Sequence, residues 1–370
     1  DAVDAPPLKP LELKSRLAST PAAGPKWSVT VKNASGGDVE LADPRATRAA
    51  VALMDIHAVI GGAACHWGGP AAFAEVNSAI HSLMFATKDR QWHEAFNYVN
   101  DAGHAENGVY ALRANWGFDN LDLDALKKFR SIESKLTGHG ESHLNPEGVL
   151  LSNGPLGSSL PQAQGIAIAD KVAGNERVTI CVVSDGASME GEAKESFAAI
   201  PGLAAKGRVN PFVMIVSDND TKLSGRITAD SFSMQPTFAA MDDLGWSVVK
   251  VDNGHDLQAV YLAVENAVTA AKANSNKPVC IWLKTIKGYG IKATEENAAG
   301  GHGFPLKNGE KALEWLKEIY SREAPAEFTE WATSLHSEWE RAEEAKKDAA
   351  PSSKPAIKKD KVQSGLAAGA

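Results

Sequence analysis

Two short segments carry side chains suited to gripping a phosphorylated ligand through a metal ion. The first reads Ser184-Asp185-Gly186-Ala187-Ser188-Met189-Glu190-Gly191, and the second reads Ser217-Asp218-Asn219-Asp220-Thr221. Each closes a continuous apolar run, VTICVVS at 178–184 and FVMIVS at 212–217. Runs of this kind are expected for strands buried on both faces. Ligands in open parallel sheets bind at the carboxyl ends of strands. Backbone N–H groups at a helix start favour phosphate, and Gly186 allows close approach of the chain. Two familiar phosphate sites fail here. A P-loop needs Lys and Ser/Thr after its second glycine, whereas Gly191 is followed by Glu192 and Ala193. The spacing G-x-G-x-x-G of dinucleotide sites is also absent from 186–191. Asp185, Glu190 and Glu192 would repel a bare phosphate, and a divalent cation between acid and phosphate reverses that repulsion. An Asp and an Asn at neighbouring strand ends, with a backbone carbonyl, leave room around Mg²⁺ for two diphosphate oxygens and a water. Taken singly, each segment reads equally well as an ordinary loop cap, since Asp and Asn favour such turns.

The surrounding pattern supplies the elements such a site needs. Residues 247–251 and 279–283 are two further strand-like runs, separated by a helical stretch at 257–272, and a helical stretch at 189–206 follows the first segment. Alternation of strands and helices from 154 to 290 predicts an α/β fold, a parallel sheet flanked by helices. Upstream, 46–85 reads as helical, broken by Gly61-Gly62 and Gly68-Gly69-Pro70. Residues 87–117 are rich in aromatics and turn formers. Residues 1–45 read as an N-terminal arm lying on a larger body, with a strand-like piece at 27–31. Residues 46–322 form the expected ligand-binding domain. A short amphipathic helix is expected at 310–321. A longer one at 323–347 carries Phe328, Trp331, Leu335 and Trp339 on one face, a stripe that reads as packing. Residues 348–370, rich in Ala, Pro, Ser and Lys, read as a linker toward a further domain, with 361–370 as its possible start. The first residue is Asp1 rather than Met, so an upstream piece is expected to be absent.

Composition narrows the function classes. The chain has 370 residues, with 38 Lys and Arg against 46 Asp and Glu, a formal charge of -8. That balance disfavours nucleic-acid binding, which needs clustered Lys and Arg. No apolar run reaches the length needed to span a bilayer, and no signal peptide is visible. Cys65, Cys181 and Cys280 lack metal-site spacing and are expected to be buried reduced thiols in a cytoplasmic protein.

An acid–Gly pair followed after a long interval by an Asn resembles the thiamine-diphosphate motif. Asp185 and Asn219 lie 34 positions apart, longer than is usual, and Ser184 stands where the motif has its first Gly. The ending Met189-Glu190-Gly191 resembles the transketolase version of that motif. Gly154-Pro155-Leu156-Gly157, with a Gly/Ala-rich helix through Ala169, resembles the transketolase stretch lying against the aminopyrimidine ring. Ser134-Lys135-Leu136-Thr137-Gly138-His139 resembles a segment whose His faces the substrate. The stretch Lys284-Thr285-Ile286-Lys287-Gly288-Tyr289-Gly290, then His302-Gly303 and Pro305-Leu306, resembles the segment with the last catalytic His. Cys65-His66-Trp67-Gly68-Gly69-Pro70 and Asn100-Asp101-Ala102-Gly103-His104 are similar to two further His sites. Together they cover about residues 50–320, in family order, and resemble the N-terminal, diphosphate-binding domain of transketolases.

The resemblance implies a set of roles. Asp185, Asn219 and the Thr221 carbonyl would hold Mg²⁺ or Ca²⁺; Gly186 and His104 would contact the diphosphate; Gly154 and Leu156 would bind the pyrimidine. His66, His139 and His302 would line the substrate channel and handle protons, with His302 also touching the cofactor. Glu190 would sit between two thiamine-binding halves. The implied activity is transfer of a two-carbon ketol unit from a ketose or ketose phosphate to an aldose. The implied assembly is a homodimer or heterotetramer. A pyrimidine-binding half would have to come from a partner chain or a missing C-terminal half, so the chain alone is expected to be inactive. A 2-oxo acid dehydrogenase component, a deoxyxylulose-phosphate synthase and a catalytically silent partner subunit remain alternatives. Of the ten histidines, His57, His81, His93, His143, His255 and His336 match no motif and are expected to be surface or satisfied core residues. His66, His104, His139 and His302 lie in loops near Gly, where core packing explains them poorly.

Overall fold

A computed structural model describes residues 15–223, 225–303 and 308–348. The expected linker falls outside these residues apart from Asp348, as do residues 1–14 of the arm and Pro305 and Leu306 of the last motif.

The chain opens with an antiparallel hairpin, β1 (Ser28–Lys32) and β2 (Asp38–Ala42). Leu41 and Ala42 are fully buried. The hairpin is tied to the helix Ala74–Phe85 by Ser78 Oγ donating to the Ala42 carbonyl. Lys32 and Gln258 exchange backbone–side-chain hydrogen bonds of 2.7 Å each, which fix it to the helix Leu257–Ala273.

The body is a five-stranded, wholly parallel sheet with helices on both faces. It is built from β3 (Phe96–Asn100), β4 (Val178–Ser184) and β5 (Phe212–Asp218). A two-residue ladder, β6 (Thr221–Lys222) with β7 (Gly225–Arg226), precedes the remaining strands β8 (Ser247–Val251) and β9 (Val279–Lys284). The sheet order is β3-β4-β5-β9-β8. The apolar runs of β4 and β5 are buried along their whole length, as central parallel strands require. Alternation then splits them: Ile180, Val182, Val213 and Ile215 pack with the helices Ala74–Phe85 and Leu257–Ala273. Cys181, Val183, Met214 and Val216 pack with the helices Ser159–Ala173 and Gly191–Ala204. Of the two edge strands, β3 is buried throughout and β8 stays partly exposed.

The expected helix at 46–85 is Pro44–Ile60 and Ala74–Phe85 with a five-residue turn of helix, Gly68–Ala72, between them. Phe328, Trp331 and Leu335 of the helix Ala326–Asp348 join a third core cluster with Pro44–Ile60, and Trp339 is only partly covered. All three cysteines are free and buried. Among the described residues no helix is long and apolar enough to cross a membrane.

Candidate active site

The carboxyl tips of β4 and β5 meet, and the Asp185 carboxylate joins them. Its Oδ2 accepts the Asn219 N–H at 2.7 Å, its Oδ1 accepts the Gly186 N–H at 2.8 Å, and its own N–H donates to the Ser217 carbonyl. Ser184, in place of glycine, shapes the loop locally. Its Oγ accepts the Ala187 N–H and its carbonyl accepts the Ser188 hydroxyl, closing a 3-10 turn at Ala187–Met189. Gly186 has an ordinary right-handed backbone, and a Cβ there would meet nothing nearer than Ser184 Oγ at 4.0 Å. Its value is therefore open space in front of the loop rather than an unusual φ. Across the gap, Asn219 Oδ1 accepts the Thr221 N–H, and the β6–β7 ladder turns the chain back over the site.

Asp185 is buried, and burial raises its carboxyl to about 7 against the pull of the Asn219 N–H. Asp218 beside it is already committed: its carboxylate accepts from Trp282 Nε1, from Gln235 Nε2 and from Lys284. Asp185 has no ion-pair partner among the described residues. A buried carboxylate in that condition is costly unless a cation comes to it. The available donors are a carboxylate, an amide oxygen and the Thr221 carbonyl, all hard oxygens of the kind that suit Mg²⁺ or Ca²⁺. No cluster of three or more His, Cys, Asp or Glu that could hold a metal exists among the described residues.

Four histidines converge over this cradle. The His66 ring centroid lies 5.1 Å from His302, 5.8 Å from His104 and 5.9 Å from His139, and His104 stacks on His302 at 5.2 Å. Three loops are stitched together to bring them there. Trp67 N donates to the His302 carbonyl, Gly68 N to Gly301, and Gly288 N to Gly68. Gly69 is required by contact, since a Cβ there would meet the His104 ring at 2.6 Å. Gly154 holds φ +137°, beyond what other residues adopt readily, and stands against the His139 ring.

Burial is the main cause that depresses all four imidazoles. His66 falls to about 4 and His302 to about 3, while His104 and His139 are lowered. Each ring, with Lys287 and Arg130 nearby, is thus neutral near pH 7. Between 6.5 and these folded values the unfolded chain binds protons that the folded site refuses, so stability falls as the pH drops. Urea midpoints at neutral pH and at about pH 5 should show a decline that His66→Gln or His302→Gln makes shallower. An unchanged slope in both variants would show that other groups control it.

Every residue singled out from the sequence lines one cavity of about 440 Å³: His66, His104, His139, Gly154, Leu156, Asp185, Gly186, Glu190, Asn219, Thr221 and His302. Its size suits a small-molecule site. Glu190 and Leu156 are exposed at its rim. Sequence reasoning passed over Lys287, which lies within a quoted motif and also lines the cavity. It also missed the buried polar hub behind the site. There Asp101 accepts the N–H groups of Gly157, Ser159 and Leu160, while Asn153 donates to the Asn100 carbonyl and to Glu106. The hub fixes the Asn153-Gly154 turn. A larger cleft of about 850 Å³ lies elsewhere, but its buried carboxylates are already paired, Glu75 with Arg48 and Asp43 with the half-buried Arg45, and it holds none of these groups.

Comparison with known proteins agrees with this fold. Residues 45–361 match the family described as "Transketolase, thiamine diphosphate binding domain". A transketolase from Rhodobacter capsulatus is 32% identical over 325 residues, covering 82% of this chain and 46% of the relative. Transketolase 1 of Escherichia coli is 28% identical, covering 80% and 44%. Among solved structures, a Pichia stipitis transketolase in complex with sedoheptulose 7-phosphate superposes with a TM-score of 0.63 at 25% identity, covering 82% of this chain and 45% of that one. The Campylobacter jejuni enzyme gives 0.61 at 26%, covering 83% and 49%. The chain thus spans about half the length of the relatives it matches. Its parallel sheet, the two strand tips that Asp185 joins and the matched span together make the chain a member of the transketolase family, in its thiamine-diphosphate-binding domain.

Proposed function

We infer that this chain provides the diphosphate and metal half of a site that transfers a two-carbon ketol unit from a ketose or ketose phosphate to an aldose. The observation that carries the reading is the Asp185–Asn219 junction under a roof of four neutral histidines. In this reading Asp185, Asn219 Oδ1 and the Thr221 carbonyl hold Mg²⁺ or Ca²⁺, and Gly186 and His104 face the diphosphate. Gly154 and Leu156 offer backbone atoms to the aminopyrimidine. When bound, thiamine diphosphate supplies the nucleophilic carbon for cleaving the bond beside a ketose carbonyl. His66, His139 and His302 then hold or move protons at the substrate oxygens, with their neutral rings able both to donate and to accept. Residues 46–322 act as the cofactor domain and residues 1–45 as an arm on it; the matched span also takes in the helix Ala326–Asp348.

The reading requires a pyrimidine-binding half beyond these residues, on the same polypeptide or another, in a homodimer or heterotetramer with Glu190 at the joint. Exposed apolar side chains at the cavity rim, Leu156 and Leu223, support such a cover. Calorimetric titration with thiamine diphosphate should show saturable binding that depends on Mg²⁺. Ketol transfer should appear only when a pyrimidine-binding half is supplied. Absence of metal-dependent binding would leave a silent partner subunit instead, and robust transfer by residues 1–370 alone would refute the need for a second half.

A further inference from the structure

Asp101 is wholly buried and directly follows β3 in the stretch that leads to His104. Its own N–H donates to the Val182 carbonyl, which fixes its backbone to β4. Its Oδ1 accepts the N–H groups of Ser159 and Leu160 at 2.8 and 3.3 Å, and its Oδ2 accepts that of Gly157 at 2.9 Å. The first two groups open the helix Ser159–Ala173, whose N-cap residue Ser158 makes no side-chain capping bond. Asp101 therefore caps that helix from a distant strand, with its charge at the positive end of the helix. Burial pushes its carboxyl up to about 6 against the three bonds. The bond to Gly157 does a different job. Gly157 ends the turn that begins at Gly154, and it holds φ +81°. A Cβ there would meet Glu190 Cβ at 2.7 Å and the Ala187 carbonyl at 3.1 Å, so the turn rests on the loop that follows Asp185. A Cβ on Gly103 would meet Gly154 N at 2.7 Å, so the His104 turn presses on it as closely. Asp101 Oδ2 fastens the end of a turn lodged between these two loops.

We propose that Asp101 is a positioning residue: by fastening Gly157 it sets the separation between the Gly154–Gly157 turn and the Asp185–Gly186 tip, and so favours a ligand that carries a flat base at one end and a diphosphate at the other. Gly154 and Leu156 of the turn line the same cavity as Asp185 and Gly186 of the tip. A ligand that must meet both loses affinity once the turn is free to shift, because binding then has to order it. A ligand that meets only the tip loses nothing. The carboxylate is needed because it accepts on both oxygens. An amide in its place has one acceptor. Two N–H groups hold that oxygen at the helix, which leaves the amide nitrogen facing the Gly157 N–H, donor against donor. Asp101→Asn therefore frees the turn and keeps the helix cap.

This role rests on the transketolase reading, and two ligands compared in Mg²⁺ separate the two. Thiamine diphosphate has the base and the diphosphate; inorganic pyrophosphate has no ring to meet the turn. Asp101→Asn is expected to weaken thiamine diphosphate about tenfold, the scale of one hydrogen bond, and to leave pyrophosphate affinity unchanged. Amide exchange should quicken at Gly157 in the variant while Ser159 and Leu160 stay protected. Equal losses for both ligands would show that Asp101 supports the whole site rather than the turn, and would overturn the proposal. Unchanged thiamine diphosphate affinity would overturn it as well, and so would a selective loss with Gly157 still protected. Should Asp101→Asn fail to fold, the unsubstituted chain decides. A Gly157 amide already protected before any ligand is added supports a fastened turn, and one that exchanges freely and slows only on binding refutes it. Absence of thiamine diphosphate binding by the unsubstituted chain would sink the transketolase reading instead, whereas binding that Asp101→Asn leaves intact sinks only the role of Asp101.

Discussion

Asp185→Asn is expected to abolish metal-dependent binding of thiamine diphosphate, a loss of at least ~100-fold, while leaving the melting temperature of the ligand-free chain within a few degrees. Two effects oppose each other in the empty protein. The Asn side chain has one acceptor where Asp has two, so either the Gly186 or the Asn219 N–H loses its partner. An unsatisfied buried donor costs roughly 1–3 kcal/mol. In return, the variant no longer buries a carboxyl that burial has already pushed to about 7. The two nearly cancel for folding. They do not cancel for the metal, because the amide brings no charge to offset the dehydration of Mg²⁺ or Ca²⁺. Calorimetric titration with and without Mg²⁺, beside a thermal melt, separates the terms. Retained metal-dependent affinity in a folded variant would remove Asp185 from the metal site.

The sequence exposed those features whose chemistry is local. β4 and β5 were legible because a central parallel strand is apolar on both faces, so the run itself names the element. Asp185 and Asn219 were legible because each closely follows such a run. The strand β3 was not, because its sequence FNYVN places polar residues in a fully buried position. Asn97 is satisfied there by Asp170 and Thr179, and Asn100 by Glu106, partners that arrive only after the fold has formed. β2 escaped for the opposite reason: half of it is solvent-facing hairpin, and DVELA carries no buried run. Lys287 stayed hidden because nothing in Ile286-Lys287-Gly288 distinguishes a surface lysine from a buried one. Its burial comes from the loops of Gly68 and Gly300 closing over it, and neighbours of that separation leave no periodic trace. His255 was expected to be a surface or satisfied core histidine; it is satisfied, in part through the loop that bears Lys287.

Glu75→Leu should lower the unfolding free energy by roughly 3 kcal/mol or more, the usual cost of stranding one member of a buried ion pair. Arg48 and Glu75 are both nearly inaccessible, and Arg48 Nη2 lies 2.5 Å from Glu75 Oε2. Burial drives the Glu75 carboxyl upward, yet the Arg48 charge and the His255 hydrogen bond hold it below its ordinary value, so the pair is ionised. Without Glu75 the guanidinium keeps the Ala71 carbonyl and a longer contact of 3.5 Å to His255 Nδ1. Arg48→Met combined with Glu75→Leu is expected to regain most of the loss, since an apolar pair of similar volume often replaces a buried ion pair at little cost. The loop behind the cavity should not recover with it. Glu75 also fixes the His255 proton on Nδ1, and in its absence the ring can carry the proton on Nε2, setting a donor against the Ile286 N–H. Amide exchange at Ile286 should therefore stay accelerated in the double variant, although amides of β5 regain protection. Thiamine diphosphate affinity should remain reduced by several-fold to tenfold, the scale of one hydrogen bond. Recovery of stability together with Ile286 protection would show that the ion pair only fills space, and that the loop takes its position from elsewhere.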